Sequence, residues 1–296
     1  MKLALVWGNS YDNKLATTHH TFWEATLKDC GIDFDRFTWG DWKVRMRSDY
    51  DLFMFIDFDT CLYQLHKFNQ FHPRCFLWWD SFHHPLTYVA QVTEMFDRSY
   101  FMEYNTAKGL QNQGLTTVHW SPTAFYEGIY HPIEGVKKIY DFAFIGQPDD
   151  TVVRKGKTRK EFFTELQRKY PNSYINQQIY GDAVNMVYNQ SRILLDRTIY
   201  NNVGTRIMET MGSGGFVLVN RGKVDSGIDR LAIDNHHFVS YDDSLEDCQK
   251  KMSYYLEHED ERNKIATTGH KHFLANHTYK NRLEVILKDF GYEIKK

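Results

Sequence analysis

Apolar residues fall in short runs broken by polar turns, and these runs alternate with stretches of helical spacing. Lys2–Trp7 is such a run, closed by Gly8-Asn9-Ser10, and predicts a strand followed by a turn. His19–Cys30 repeats its apolar positions at helical intervals, and Phe34–Thr38 predicts a second strand. Asp51–Asp57 (DLFMFID) and Arg74–Trp79 (RCFLWW) are almost continuously apolar, the mark of strands buried on both faces of a parallel sheet. A helix around Pro85–Met95 and short strands at Arg98–Met102 and Thr117–Trp120 complete a βαβ rhythm typical of a Rossmann-like half.

The polar segment HPIEGVKK, with Pro132 and Gly135, reads as a linker, after which the pattern restarts. Tyr140–Gly146 (YDFAFIG) is a strand ending in glycine. The basic stretch Arg154–Lys160 opens an amphipathic helix through Lys169. Further elements are Tyr174–Tyr180, a helix from Ala183 to Ser191, Ile193–Asp196, a helix-like TRIMETMGSGG, and strands at Phe216–Asn220 and His237–Tyr241. Helices at Ser244–Glu257, Glu259–Ala275 and Lys280–Phe290 close the chain. The expected fold class is α/β, two Rossmann-like domains facing across a cleft. The expected division is 1–135, 136–275 and a closing helix over 276–296 that can pack back on the N-terminal domain. Ligands of such sheets bind beyond the carboxyl ends of the strands.

A chain of 296 residues has room for two such domains, and 42% hydrophobic with 25% charged residues is a globular balance. The net charge of -2 argues against a globally basic nucleic-acid binder but leaves a local basic patch open. Cys30, Cys61, Cys75 and Cys248 have no CxxC spacing, so neither a zinc site nor a disulfide framework is expected. No apolar run approaches membrane-spanning length and the N-terminal run is too short for a signal-peptide core, so a cytoplasmic location is expected. Trp7, Trp78, Trp79, Trp120 and Tyr180 lie near predicted strand ends, where they either fill the core or stack on a ligand.

Gly204–Asn220 (GTRIMETMGSGGFVLVN) carries the most chemistry. Glu209 sits in a short helix, followed by Gly212, Ser213, Gly214 and Gly215 and a buried strand. Small residues allow close approach of a ligand, and a carboxylate beside them can accept hydrogen bonds from both hydroxyls of a ribose. A solvent-facing glutamate with a glycine C-cap explains the same letters.

Arg206–Glu209 with Gly214-Gly215 and FVLVN resembles the donor-site motif of GT-B glycosyltransferases, and in particular the CgeB-like (spore-maturation-protein-like) group. WWDSFHHP (Trp78–Pro85), YDFAFIGQ (Tyr140–Gln147), SRILLDRT (Ser191–Thr198) and NHTYKNRLEVIL (Asn276–Leu287) resemble the same group in the same order. The likeness is fuller from about residue 140 onward than before it.

The resemblance implies a nucleotide-diphosphate sugar as co-substrate, held mainly by the C-terminal domain with Glu209 on the ribose. It implies retaining transfer and no metal or other cofactor. Where related enzymes carry a second glutamate near the sugar, this chain has Asn201, an amide that can still hydrogen-bond a hydroxyl. Charge develops on the departing diphosphate, so the basic run offers Arg154 and Lys157, Arg206 is a further cation, and Gly146 can add a backbone donor. A solvated charged loop, or a patch for a nucleic-acid backbone, explains the same run.

On the acceptor side, Asp80 and His83 are the expected groups to orient or deprotonate an acceptor hydroxyl, with Gly8, Asn9 and His84 lining its site. An N-cap aspartate and surface histidines are the alternative there. Asp57–Asp59 matches DxD by letters but falls in the acceptor half. The acceptor is a glycan, protein or surface polysaccharide, or else a hydroxymethylated pyrimidine in viral DNA. Asn201 also keeps open a non-catalytic binding module with this fold.

Overall fold

The structure, a computed structural model, describes residues 1–7, 19–38, 46–56, 70–79, 81–148, 151–198 and 202–294. They fall into two compact units, Met1–Pro122 with Arg282–Lys296, and Thr123–Asn281.

The first unit runs β1 (Lys2–Trp7), α1 (His19–Asp29), β2 (Asp33–Thr38), β3 (Leu52–Ile56), β4 (Arg74–Trp78), α2 (Leu86–Thr93), β5 (Arg98–Phe101), α3 (Tyr104–Asn112) and β6 (Val118–Trp120). The strands form one parallel sheet in the order β2-β1-β3-β4-β5-β6. Every residue of β3 and β4 is buried, as their unbroken apolar runs require. Phe55, Phe76, Trp78 and Phe96 anchor the core, with the Phe76 and Phe96 rings stacked at 4.8 Å. Trp7 and Trp78 are core residues, fully enclosed. The helix α3 was not expected from the sequence. Its buried positions are only Ala107 and Leu110, and Gly109 weakens its helix propensity.

The second unit runs β7 (Tyr140–Ile145), α4 (Arg159–Lys169), β8 (Ser173–Asn176), α5 (Asp182–Gln190), β9 (Ser191–Asp196), α6 (Thr205–Gly212), β10 (Val217–Asn220), β11 (Val239–Tyr241), α7 (Leu245–Glu257) and α8 (Glu259–Asn276). Its sheet is parallel in the order β11-β10-β9-β7-β8. Phe142, Phe144, Phe162 and Phe163 join Leu195, Leu218 and Tyr241 in its core. The final helix α9 (Tyr279–Asp289) passes to the first unit at Arg282. Within that unit the Tyr100 hydroxyl donates to Asp289 Oδ2 at 2.8 Å and the Tyr292 hydroxyl to the Asp51 carbonyl at 3.1 Å.

The basic run does not open α4 as expected. Arg154 and Lys157 instead face each other across a tight turn, exchanging backbone N–H···O bonds of 2.8 and 3.1 Å, with Lys155 and Gly156 both at positive φ. The helix starts at a capping box. Thr158 Oγ1 accepts from the Glu161 N–H and Glu161 Oε2 from the Thr158 N–H, which satisfies two otherwise orphan donors. Among the described residues no helix is long and apolar enough to cross a membrane.

Candidate functional site

The helix α6 leaves the carboxyl end of β9 and returns the chain to β10. Its C-terminal turn needs small residues for packing reasons. A Cβ at Gly212 would lie 2.4 Å from the Phe125 ring, and one at Gly215 2.4 Å from Leu194 Cδ1. Gly214, expected to approach a ligand, adopts φ +71° and sits against Pro132, whose Cγ would be 2.9 Å from an added Cβ. Left-handed backbone at a helix end is the province of glycine.

Glu209 is not solvent-facing on this helix. It is partly buried, and two enclosed phenols converge on it: Tyr130 donates to Oε1 at 2.9 Å and Tyr188 to Oε2 at 3.4 Å. Burial raises its pKa above the ordinary carboxylate value, while the Tyr130 hydrogen bond, the Arg206 charge and the Tyr188 hydrogen bond pull it down. Sequence reading missed both tyrosines, which lie 79 and 21 residues from Glu209 along the chain.

Arg206, one turn before Glu209, is clamped. Its Nε donates to the Ile145 carbonyl at 2.7 Å, its Nη1 to Asp196 Oδ1 at 2.6 Å, and its guanidinium lies 4.2 Å over the Phe144 ring. Asp196 is buried at the end of β9. Gly146 was expected to supply a backbone donor, but its N–H is spent on the Asn176 carbonyl at 2.9 Å. Gly146 has a different use: a Cβ there would fall 2.3 Å from Arg206 Nη2. The Gly146→Ala variant should therefore dislodge Arg206 from Asp196 and lose about 1–3 kcal/mol, read as a lower urea midpoint. A stability equal to wild type would show that the clamp tolerates a methyl group there.

The other cations of this edge are also paired. Arg154 Nη1 reaches Asp243 Oδ2 at 3.3 Å, Lys157 Nζ reaches Glu165 at 2.5 Å, and Lys155 Nζ lies 3.7 Å from Asp242. Arg159 donates to the carbonyls of Gln147 and Arg197. The group that sequence reading missed here is Arg197, only 2% exposed. It donates to the Asp243 carbonyl at 2.8 Å and the Arg154 carbonyl at 3.1 Å, and stacks 3.9 Å over Phe162. A cavity of about 240 Å³ opens beside Thr198, Asn202, Ile207, Asn220 and Lys223; Glu209 does not line it.

In the first unit, His83 is exposed in the single turn Ser81–His83. His84 packs its ring on Trp78 and Tyr88, at 5.6 and 5.3 Å, which makes it part of an aromatic cluster. Ser81 donates to the buried Glu103 at 2.6 Å, a contact not foreseen. Trp79 stacks on His19 at 5.0 Å, Trp120 donates to the Met102 carbonyl, and Tyr180 is 51% exposed. Gly8, Asn9, Asp80 and Asn201, with Asp57–Asp59 and Cys61, lie outside the described residues. Cys75 and Cys248 are buried free thiols.

The family model described as glycosyl transferase-like matches residues 131–288, more than half of the chain, with Tyr188, Arg206 and Glu209 inside the match. The chain belongs to this family. Among curated proteins no match is found. This glycosyltransferase is similar in structure to sucrose-phosphate synthase from Thermosynechococcus elongatus, at TM-score 0.66 and 10% identity over 98% of this chain and 99% of that one. It is also similar to Anabaena Alr3699/HepE in complex with UDP and glucose, at TM-score 0.67 and 10% identity over 97% and 99%. T4 phage BGT in complex with UDP and Mn2+ follows at TM-score 0.63 and 13% identity over 98% and 99%. At these identities the likeness establishes the fold, which is GT-B.

Proposed function

We propose that this enzyme moves a sugar from a nucleotide-diphosphate sugar to an acceptor hydroxyl on a glycan, protein or surface polysaccharide, with retention and without a metal, as a CgeB-like member of its family. The second unit is the donor domain and the first, with Asp80, His83 and His84, the acceptor domain; the enzyme works in the cytoplasm. The observation that carries the reading is Glu209. A carboxylate partly buried among apolar and phenolic neighbours, on a helix leaving the carboxyl end of a parallel strand, is placed where a hydroxyl-bearing ligand can donate to it.

Arg206, Arg154 and Lys157 face the diphosphate in this reading. Their ion pairs do not exclude it, because a guanidinium has five N–H donors and the Lys157 ammonium three, more than one carboxylate partner takes up. Asn201 and the neighbouring Asn202 attend the transferred sugar. An acceptor in DNA has less support: Arg154, Lys155 and Lys157 each have a carboxylate partner, so the run is not an unopposed positive patch.

Melting curves with uridine, guanosine, adenosine and thymidine diphosphates and their sugars provide the test. A ligand at a hundred times its Kd should raise the melting temperature by roughly 5–10 °C. Glu209→Ala should remove that rise. If none of these ligands shifts the wild-type curve, the donor reading fails and a binding module with the GT-B fold replaces it.

A further inference from the structure

The cavity beside Thr198 lies at the carboxyl ends of the adjacent parallel strands β9 and β10, and the loop over 221–229 lines it. Ile207 of α6 faces it, while Arg206 turns to Ile145 and Phe144 of β7, so the cavity is separate from the Arg206 side of that helix. At about 240 Å³ it falls below the ~300–1,000 Å³ of pockets for drug-sized ligands and suits a group no larger than one sugar ring.

Its polar wall is one-sided. The acceptor oxygens already have protein donors. Asp229 takes both Nη atoms of Arg221, at 2.6 and 2.7 Å, and Asp225 takes the Gly227 N–H at 2.8 Å and Arg230 Nη1 at 2.9 Å. Asn202 Oδ1 takes the Thr198 hydroxyl at 2.7 Å, which leaves its amide nitrogen as a donor. Among the described residues Asn202 Nδ2, Lys223 Nζ and the backbone N–H groups of Gly222, Lys223 and Val224 have no partner, and Arg221 Nε is buried without one. A ligand that offers acceptor oxygens matches such a wall.

Charge selects among those ligands. Arg221 and Lys223 on the wall are equal in number to Asp225 and Asp229, and the ion-pair partners Arg230 and Asp234 cancel as well. Lys223 is the one cation of this group with no carboxylate of its own among the described residues. A single negative charge fits one unspent cation; a phosphate, close to doubly charged at neutral pH, would set its second charge against two carboxylates.

We propose that this cavity binds the carboxylate of a sugar acid, with Lys223, Asn202 and the N–H groups of the loop after β10 as its donors. Asn202 is also the residue assigned above to the transferred sugar, so the acid has two possible sources. As a substituent of the donor's own sugar it rests on the donor reading and deepens it; on a separate molecule it stands without that reading.

The experiment compares two matched pairs by calorimetry at pH 7, glucuronate with glucose and UDP-glucuronate with UDP-glucose, on wild type, Lys223→Gln and Asn202→Asp, with inorganic phosphate as a further control. In at least one pair the acid should bind tenfold or more tightly than its neutral counterpart, and glucuronate more tightly than phosphate. Lys223→Gln should reduce that advantage about tenfold, the scale of a hydrogen bond to a charged group. Asn202→Asp keeps the acceptor for Thr198, replaces the amide donor by a like charge, and should abolish the advantage. Lys223 is exposed and Asn202 half-buried, so both variants should melt with wild type; if Asn202→Asp does not, Lys223→Gln decides alone. No advantage in either pair, or one that either folded variant retains in full, overturns the proposal. An advantage confined to the nucleotide pair places the acid on the donor sugar, and glucuronate that binds unchanged beside saturating UDP-glucose belongs to a separate molecule. If neither nucleotide binds, the donor reading has failed on its own and the glucuronate–glucose pair still decides the cavity.

Discussion

Arg197→Ala should cost the second unit about 3–5 kcal/mol, seen as a fall in the urea midpoint at unchanged slope. Arg197 sits between two loops at the carboxyl edge of the sheet and is almost wholly enclosed. Asp243, 5% exposed and at φ +71°, takes Arg197 and Arg154 on its carboxylate and an N–H of Asn220 at 3.3 Å. Removing the arginine takes the side-chain donor from the Asp243 carbonyl, leaves the Arg154 carbonyl with the Lys157 N–H alone, uncovers the Phe162 ring and leaves a buried anion with one cation fewer. Arg197→Lys should not rescue, since a compact ammonium on a flexible stem cannot span both carbonyls and stack on the ring together. A loss below about 1 kcal/mol, the level of an exposed pair, would mean that the network is solvated and the argument wrong.

That network marks where sequence reading stops. The buried strands were legible closely, β1 at Lys2–Trp7 and β4 within one residue of its end, because a strand buried on both faces needs an unbroken apolar run, whereas the half-buried edge strand β8 ends at Asn176, four residues before the expected Tyr180. Glu209 and the small residues after it were legible as a motif, and Arg206 as a nearby cation. The partners were not. Tyr130, Tyr188, Asp196 and Asp243 meet Glu209, Arg206 and Arg197 only through the topology β11-β10-β9-β7-β8, which no local spacing encodes. One available signal was missed: T-x-x-E at Thr158–Glu161 marks the start of α4 and would have kept Arg154–Lys157 out of that helix.

Gly269→Ala should destabilise by about 2 kcal/mol, although an alanine inside an exposed helix normally gains up to about 1 kcal/mol over glycine. Gly269 lies midway along α8, where a Cβ would fall 2.3 Å from the His237 carbonyl oxygen and 3.0 Å from Met211 Sδ of α6. The backbone of His237 has no room to retreat. Its ring accepts from the Ile233 N–H at 3.1 Å and stacks on His272 of the same helix at 4.3 Å, and burial lowers its pKa to about 4, so it stays neutral and keeps that acceptor through the physiological range. On the other side α6 is tied to α8 by the His270 bond to the Met211 carbonyl at 2.9 Å. An added methyl must therefore push the two helices apart, and α6 carries Glu209. Nucleotide affinity should fall together with the melting temperature in Gly269→Ala, and Gly269→Val should lose more of both. A Gly269→Ala protein as stable as wild type would show that α8 can slide without disturbing α6, and the rigid seat assigned to Glu209 would then have to come from its tyrosines alone.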